Sequence, residues 1–238
     1  MDILIEAKNL SKSYDGRTVV KNLSIRICRG EIVALIGPNG AGKTTTLSML
    51  LGIVPADRNE DSIKYWRKDY KAHLGVQLQS TPFFEGYSAE ENLELFSALY
   101  GVKKSKRQIQ DVLKKFELYD VGKTAALRLS IGQQKRLAVA VTTLHNPELI
   151  ILDEPTAGLD PKAKKDIRDM ITTFSQNNIS VIFSSHDLDE VWKVANRIVF
   201  INKGQIVLEG NPQELLKHYQ TTDLEALYLQ FIEEEGKS

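Results

Sequence analysis

One stretch of the sequence has the residue types and spacing of a phosphate-binding loop. Residues 37–44 read Gly-Pro-Asn-Gly-Ala-Gly-Lys-Thr and match the pattern G-x-x-x-x-G-K-[ST] at every fixed position. Glycines let the backbone wrap around an anion, and the N–H groups of the following helix point toward it. In such a loop Lys43 reaches the β- and γ-phosphates, and the Thr44 hydroxyl ligates Mg²⁺. The expected nucleotide contacts in and beside this phosphate loop are Gly37, Pro38, Asn39, Gly40, Ala41, Gly42, Lys43, Thr44 and Thr45.

A second group of interest is a pair of neighbouring carboxylates. Asp153 and Glu154 directly follow Leu149–Leu152, whose apolar side chains predict a buried strand. In an open α/β sheet the ligand crevice lies at the carboxyl ends of the strands. There Asp153 can hold Mg²⁺ while the metal bridges the phosphates. Glu154 is predicted to point elsewhere, because side chains alternate along a strand, and its carboxylate suits polarising an attacking water.

The elements that must position these residues follow from the hydrophobic pattern. Short continuous apolar runs at 32–36, 149–152 and 179–183 predict strands buried on both faces, as in a parallel sheet. Each run is followed by turn or acidic residues and then by a helical pattern. Alternating apolar residues at 3–7 and 23–27 predict two further strands. Strands that alternate with helices favour an α/β fold.

The middle of the chain has a different pattern. Residues 89–116 carry apolar side chains at helical spacing, and Gly101 interrupts them as a stop signal. No strand pattern follows before Leu149. We therefore predict a helical lobe inserted into the α/β core.

The last part of the chain returns to strands and then to helix. Residues 197–201 and 205–209 predict a hairpin, and Gly204 supplies the positive φ of its turn. The final segment again has helical spacing. The predicted organisation is a single domain over 1–238, with an α/β core at 1–79 and 147–210, a helical subdomain at 80–146 and a C-terminal helical tail at 211–238.

Composition and charge limit the class of protein. A hydrophobic fraction of 42% over 238 residues is typical of a globular chain. The 31 Lys and Arg balance the 31 Asp and Glu, which disfavours a strongly basic DNA-coating protein, so no nucleic-acid partner is expected. The single cysteine, Cys28, permits no intrachain disulfide, which fits a reducing cytosol. No apolar run reaches the roughly 18–20 residues of a membrane span. The N-terminus carries early acids and no basic stretch, unlike a signal peptide.

A third motif lies between the two nucleotide motifs and makes a family resemblance specific. Residues 129–136 read Leu-Ser-Ile-Gly-Gln-Gln-Lys-Arg and resemble the L-S-G-G-Q signature of ATP-binding cassette (ABC) ATPases. Residues 153–161 resemble the Walker B and D-loop motifs of that family. The motifs occur in order over nearly the whole chain. The resemblance implies ATP and Mg²⁺ as cofactors and a P-loop NTPase core: a mixed α/β sheet with flanking helices, N-terminal antiparallel β strands and an inserted α-helical subdomain.

The resemblance also assigns roles to single residues. Tyr14 stands where the family stacks adenine, Gln79 matches the Q-loop glutamine, and His186 matches the switch histidine. Tyr14 also fits a surface aromatic and His186 a structural histidine, while Gln79 fits an ordinary loop amide. Gln77 is a rival for the Q-loop position. The implied catalytic residues are Glu154, His186 and Gln79, the magnesium ligands are Thr44, Gln79 and Asp153, and the further nucleotide contacts are Tyr14, Ser130, Gly132, Gln133, Asp153 and Asp160.

The signature motif implies a second subunit. Ser130 and Gly132 open a predicted helix, and a helix N-terminus with a small hydroxyl is an anion site. In the family this site meets the γ-phosphate held by the other ABC ATPase subunit of a head-to-tail dimer, which can be a homodimer or a heterodimer. This chain departs from the family pattern in two places. Ile131 replaces the first glycine of the motif, and residues 55–61 lack the glycine that usually marks a hairpin.

Two segments indicate a transport subfamily. Residues 91–101 resemble the helical subdomain of drug- and peptide-exporter ATPases that work with separate ABC-2 membrane subunits, and 224–229 resemble the ending of that group. The resemblance implies ATP hydrolysis that powers export through an integral membrane partner. The chain is then cytoplasmic and peripheral on the inner face of the cell membrane. The alternatives are an importer motor, or an ABC ATPase acting on nucleic acid or ribosomes, which the single cassette and the lack of sustained heptads disfavour.

Overall fold

The computed structural model describes residues 2–57, 63–80 and 83–234. Its strands are β1 (Ile3–Tyr14), β2 (Arg17–Cys28), β3 (Ile32–Ile36), β4 (Ile63–Tyr65), β5 (Leu74–Gln77), β6 (Leu149–Leu152), β7 (Ser180–Ser185), β8 (Arg197–Asn202) and β9 (Gln205–Gly210). Its helices are α1 (Lys43–Leu50), α2 (Ala89–Leu99), α3 (Lys106–Lys115), α4 (Ile131–Thr142), α5 (Pro161–Gln176), α6 (Leu188–Val194), α7 (Pro212–His218) and α8 (Leu224–Glu234). No helix in these described ranges is long and apolar enough to cross a bilayer.

The central sheet has the strand order β5-β6-β7-β3-β8-β9. The first five of these strands run parallel, and β9 runs antiparallel to β8. Every residue of β3, β6 and β7 is buried, which explains why these strands are continuously apolar or small rather than alternating. A separate three-stranded sheet, in the order β2-β1-β4, is antiparallel. The predicted fold, a mixed α/β sheet with N-terminal antiparallel strands, is confirmed.

Strand register brings three connections together at one edge of the central sheet, the edge formed by the carboxyl ends of its parallel strands. Leu152 at the end of β6 lies beside Phe183 of β7, and Ile36 at the end of β3 lies beside Ser185 of β7. The phosphate loop, the Asp153–Glu154 pair and the residues after β7 therefore leave the sheet side by side. This is the edge at which open α/β sheets bind ligands.

The central sheet separates two apolar clusters, and its strands contribute to both by alternation. From β3, Ala34 and Ile36 pack into the cluster shared with α2–α5, whereas Val33 and Leu35 pack into the cluster shared with α1, β1 and β2. Burial of this kind contributes roughly 1.5–3 kcal/mol for each large aliphatic side chain. The sheet edge that carries the site is thus fixed from both faces.

Helices α2, α3 and α4 follow one another between β5 and β6, where the helical lobe is predicted. Ser88 and Ser105 cap the first two of these helices with reciprocal hydrogen bonds to the third helical residue. Gly101, at a φ of 71°, lies just beyond the end of α2, as a helix stop requires. The boundaries 80–146 for a separate subdomain remain a prediction.

The turn of the β8–β9 hairpin packs against the phosphate loop and is hydrogen-bonded to it. Its turn residues Lys203 and Gly204 both have positive φ, 46° and 81°, so the predicted hairpin is confirmed with two left-handed residues. The Gly204 N–H donates to the carbonyl of Ala41 at 3.0 Å, and the Gly204 carbonyl accepts from the Lys21 N–H at 2.9 Å. A Cβ on Gly204 would lie 2.3 Å from the carbonyl oxygen of Val19. Only glycine fits between the loop and β2 here.

Two peripheral segments complete the fold. The glycine-poor stretch 55–61 falls partly outside the described residues, and β4, which follows it, pairs with β1 through Ile5 and Tyr65. At the other end, Tyr228 of α8 packs edge-on against Phe200 of β8 at 5.4 Å between ring centroids. The C-terminal helix therefore packs on the face of the central sheet that carries Phe200, in the apolar cluster shared with α2–α5.

Candidate nucleotide-binding site

The phosphate loop connects β3 to α1, which is the structural context that its motif requires. Gly40 and Gly42 adopt φ values of 79° and 103°, a region that other residues rarely enter. A Cβ on Gly42 would lie 2.8 Å from the carbonyl oxygen of Val19, and one on Gly37 would lie 2.2 Å from the carbonyl oxygen of Ile201. The glycines of the motif are thus required both by backbone conformation and by close packing on β2 and β8.

Lys43 is held inside the loop. Its side chain is only 5% exposed, and Nζ donates hydrogen bonds to the carbonyls of Gly37 at 2.8 Å and Pro38 at 3.3 Å. Burial lowers the pKa of Lys43, while the carboxylates of Glu154 and Asp153 oppose that shift. A cation preorganised in a loop of backbone N–H groups fits the terminal phosphates of a nucleotide.

Asp153 and Thr44 lie together as the magnesium hypothesis requires. The fully buried carboxylate of Asp153 accepts a hydrogen bond from the Thr44 hydroxyl at 2.9 Å and another from the Ser184 hydroxyl. Within the described residues, no cluster of three or more His, Cys, Asp or Glu side chains could hold a metal by itself. One carboxylate and one hydroxyl suit Mg²⁺ only when phosphate oxygens and water complete its shell, so this site fits a metal that arrives with a nucleotide.

Glu154 stands beside Asp153 but faces a different direction, as predicted. Its carboxylate, 17% exposed, has Oε1 3.8 Å from Nζ of Lys43 and 3.5 Å from Nδ1 of His186. The predicted reason, alternation along a strand, is wrong, because β6 ends at Leu152 and Glu154 adopts a left-handed φ of 48°. Such strain in a residue other than glycine persists where surrounding contacts fix it, and it concentrates at functional sites.

Ser184 joins the two carboxylate residues and is missed by motif analysis. Its hydroxyl donates to Oδ1 of Asp153 and accepts the backbone N–H of Glu154 at 2.9 Å. The signal that could have found it is strand register. Because Leu152 pairs with Phe183, the next residues, Asp153 and Ser184, must also meet.

His186 follows β7 at the mouth of the site. Its side chain is 57% exposed and directs Nδ1 toward the carboxylate of Glu154. A histidine retained for packing would be buried, so this position favours the switch-histidine interpretation. A small cavity of about 50 Å³, bordered by His186, Glu154 and the D-loop residues 156–158, lies next to this pair.

The structure leaves the assigned roles of Tyr14 and Gln79 untested. Tyr14 is exposed at the end of β1, which leaves ring surface open to a ligand, while the Lys12 ammonium lies over the ring, 5.6 Å from its centroid. Gln79 is exposed two residues beyond β5. The rival Gln77 is buried in β5, and its Nε2 donates to the carbonyl of Leu78 at 2.6 Å. Exposure therefore favours Gln79 over Gln77 as the residue available to a ligand.

The signature motif forms the capped start of α4. Ser130 is the N-cap, and its hydroxyl accepts the Gln133 N–H at 3.3 Å while the Gln133 side chain accepts the Ser130 N–H at 3.0 Å. Gly132 is tightly placed, since a Cβ there would lie 3.1 Å from Cβ of Ala163. Ser130 and Ile131 are exposed, so this helix N-terminus faces outward. The departure at Ile131 leaves the capped geometry intact.

Asp160, in the motif at 153–161, is the N-cap residue of α5. Its carboxylate accepts the backbone N–H groups of Ala163 at 3.0 Å and Lys162 at 2.9 Å at the start of α5. These hydrogen bonds lower the pKa of Asp160. A nucleotide contact by Asp160 stays a prediction.

Known sequences agree with this site. The family described as ABC transporter matches residues 20–157, more than half of the chain. The lantibiotic transport ATP-binding protein SrtF of Streptococcus pyogenes is 35% identical over 210 residues, covering 87% of this chain and 90% of the relative. The lipopolysaccharide export system ATP-binding protein LptB of Escherichia coli is 32% identical over 223 residues, covering 90% of this chain and 92% of the relative.

Known structures give the same result. A solved structure described as the ATP-binding subunit of an ABC transporter superposes with a TM-score of 0.85 at 25% identity, covering 96% of this chain and 99% of that one. A dimeric ATP-binding cassette, solved in a post-hydrolysis state with ADP and phosphate, gives a TM-score of 0.77 at 26% identity, covering 87% of this chain and 98% of that one. With its phosphate loop, carboxylate pair and signature helix in place, the chain belongs to the ABC transporter family as one of its nucleotide-binding ATPase cassettes.

Proposed function

We propose that the chain uses ATP and Mg²⁺ to power export through a separate integral membrane protein. The observation that carries the proposal is the meeting of three connections at one sheet edge, with Oε1 of Glu154 between Nζ of Lys43 and Nδ1 of His186. Phosphoryl transfer to water needs a phosphate cradle, magnesium ligands and a water-positioning group at one point. This edge of the sheet supplies candidates for all three.

The phosphate loop and the magnesium ligands both serve to neutralise the negative charge of the nucleotide phosphates. Lys43 and the loop N–H groups bind the terminal phosphates, while Thr44 and Asp153 hold the metal. Bound there, Mg²⁺ supplies positive charge to the phosphate oxygens. Gln79, exposed beside the end of β5, is the proposed third protein ligand. Ser184 keeps the Asp153 carboxylate oriented through its hydrogen bond.

Glu154 and His186 handle the attacking water. The Glu154 carboxylate accepts a hydrogen bond from the water and takes its proton as the water oxygen bonds to the γ-phosphorus. The bond from that phosphorus to the bridging oxygen breaks at the same time, and the oxygen leaves with ADP. His186, 3.5 Å from that carboxylate, donates to the γ-phosphate and so fixes its position relative to the water. Positioned groups of this kind contribute about 10²–10⁴-fold to a rate.

Export rather than import is supported by the relatives. SrtF is described as a lantibiotic transport protein and LptB as part of a lipopolysaccharide export system. A third relative, the linearmycin resistance ATP-binding protein LnrL of Bacillus subtilis, is 31% identical over 219 residues, covering 89% of this chain and 70% of the relative. We extend the export direction named for LptB, but no relative's substrate, to this chain, and place it at the inner face of the cell membrane.

The proposed contact with the membrane subunit is the segment 79–91, of which residues 81–82 lie outside the described ranges. Phe84 and Tyr87 are 37% and 46% exposed. Next to them a groove of about 320 Å³ is lined mainly by apolar side chains, among them Leu78, Phe83 and Phe96. Exposed aromatics beside an apolar groove suit a helix of a partner protein.

The proposed second subunit is another ABC cassette, arranged head to tail. The outward-facing N-terminus of α4, with the exposed Ser130, offers an anion site that its own phosphate loop does not need. The dimeric relative of known structure supports such pairing.

Replacing the lysine of the phosphate loop tests the nucleotide site. We expect Lys43→Ala to abolish tight MgATP binding, because a methyl group cannot replace a charge in contact with the phosphate oxygens. Isothermal titration calorimetry with MgATP and phosphate-release assays measure the loss. Lys217→Ala, which removes an exposed lysine on α7, is the matched control and should behave like the parent. Parental binding and hydrolysis by Lys43→Ala would contradict the site assignment.

A further inference from the structure

A second lysine, outside the phosphate loop, contacts the peptide group of Glu154. Lys135 lies in the second turn of α4, and its Nζ donates to the backbone carbonyl of Glu154 at 3.4 Å, the long end of the hydrogen-bond range. The side chain is half-buried. Burial lowers the pKa of Lys135, and the carboxylates of Asp153 and Glu154 oppose that shift, so the ammonium lies within the field of both.

The neighbours of Lys135 on the helix face elsewhere. Gln134 donates to the carbonyls of Leu127 and Leu129, before the helix begins. Arg136 pairs with Glu117 and Asp166 on its other side. Of these three residues, Lys135 is thus the one that is directed at the Glu154 peptide.

The position that Lys135 contacts is the strained one. Glu154 has a left-handed φ of 48°, a conformation that persists only where surrounding groups hold it. Its N–H is held by the Ser184 hydroxyl at 2.9 Å, and its carbonyl is held by the Ala157 N–H at 3.3 Å and by Lys135. Of these three groups only Lys135 is a charged side chain, and it is the contact that α4 makes with the Glu154 peptide.

We propose that Lys135 is a positioning residue for ATP hydrolysis that acts through Glu154. It fixes the Glu154 peptide in the left-handed conformation and thereby directs the carboxylate toward the attacking water. The role is indirect, because Lys135 acts through its contact with the Glu154 carbonyl. The inference rests on the proposed function, in which Glu154 positions that water.

The first test separates binding from turnover. Lys135→Met keeps the length of the side chain but removes its charge and its hydrogen bonds. We expect kcat to fall by roughly tenfold to hundredfold, because small misplacements of a reacting group have costs of this size, while the Kd for MgATP changes less than about twofold. Lys135→Arg, which retains charge and donors, should recover most of the loss. Lys115→Met, at an exposed site on α3, is the matched control.

A double-mutant cycle identifies the route of the effect. Phosphate release is measured for the parent, Lys135→Met, Glu154→Gln and the double variant. If Lys135 acts through Glu154, Lys135→Met causes no further loss in the Glu154→Gln background. Equal proportional losses in both backgrounds would mean a merely structural role and would overturn the proposal, as would an unchanged kcat in Lys135→Met.

Folding and the parent function are controlled separately. If thermal unfolding shows that Lys135→Met does not fold, Lys135→Arg and Lys135→Gln carry the same comparison, with Arg active and Gln impaired; equal activity overturns the proposal. Near-parental turnover in Glu154→Gln would overturn both the catalytic assignment and this inference. Loss of turnover in Glu154→Gln with no effect at Lys135 would overturn the inference alone.

Discussion

Neighbouring groups fix both the side chain and the backbone of Glu154. Its carboxylate lies between Lys43 and His186, and its N–H is bound by the hydroxyl of Ser184. The same hydroxyl donates to Asp153, so the proposed metal ligand and the proposed water-positioning residue share one hydrogen-bonding partner. A displacement of either carboxylate is therefore transmitted to the other.

The roles of the two carboxylates can be separated by neutral isosteres. Glu154→Gln keeps the shape and removes the base, so it should bind MgATP normally and lose turnover by about 10²–10⁴-fold. Asp153→Asn should impair the use of Mg²⁺ as well, since it removes a charged ligand. Steady-state hydrolysis, measured beside nucleotide binding across a Mg²⁺ titration, distinguishes the two. Near-normal turnover in Glu154→Gln would shift the water-positioning role to His186 or Gln79.

Motif spacing alone predicts the residues of the site whose identity is chemically constrained. The loop glycines, Lys43 and the carboxylate pair belong to this class, and the structure brings them together at one sheet edge. Ser184 and Lys135 could not be predicted in the same way. A serine in a strand or a lysine in a helix has no distinctive spacing, and only strand register and helix packing reveal what it touches.

At the scale of elements, burial decides what could be predicted. The strands β3, β6 and β7 are buried on both faces, so their residues are apolar or small without alternation. In contrast, alternation predicts only 3–7 and 23–27 of the twelve-residue strands β1 and β2. The register between them shifts at several points, one between Ala7 and Leu10, and each shift breaks the two-residue period.

The segment that follows β5 is where an element should meet the membrane partner. Replacing both Phe84 and Tyr87 by Ala should uncouple ATP hydrolysis from transport while sparing MgATP binding, because exposed aromatics of this kind anchor partner helices. Transport into membrane vesicles that contain the partner, measured beside ATPase activity, gives the result. Tyr119→Ala, which removes another exposed aromatic, is the control.

The opposite outcome, in which the double variant fails to fold, would also have a structural cause. The Phe84 ring lies 5.4 Å from Phe96 of α2 and 6.2 Å from Tyr87, centroid to centroid, so Phe84 also packs against α2 and the two aromatics pack against each other. Loss of folding in the double variant, detected by circular dichroism, would mean that this packing is their main role.

At the scale of the whole molecule, ATP should control assembly. We expect Glu154→Gln, which retains bound ATP, to double its mass from 26.8 kDa when MgATP is added, because the exposed N-terminus of α4 then meets the nucleotide of a second cassette. Multi-angle light scattering with and without MgATP measures this mass. Adding the Lys43→Ala change to the same chain should prevent the increase. A mass that ATP leaves unchanged would argue that the partner is a different cassette.

Helix α4 has a further consequence for such a pair. Its N-cap residue, Ser130, would face the neighbouring cassette, and within two turns the helix reaches the Glu154 peptide of its own site through Lys135. In a head-to-tail pair, the nucleotide of one cassette would therefore contact helix α4 of the other cassette. That helix in turn contacts the Glu154 peptide in the other cassette's own site. Occupancy of one site would change the hydrolytic competence of the other, and by symmetry the influence would be mutual. The pair would thus respond cooperatively to ATP, and a half-loaded assembly would turn over more slowly than half the full rate.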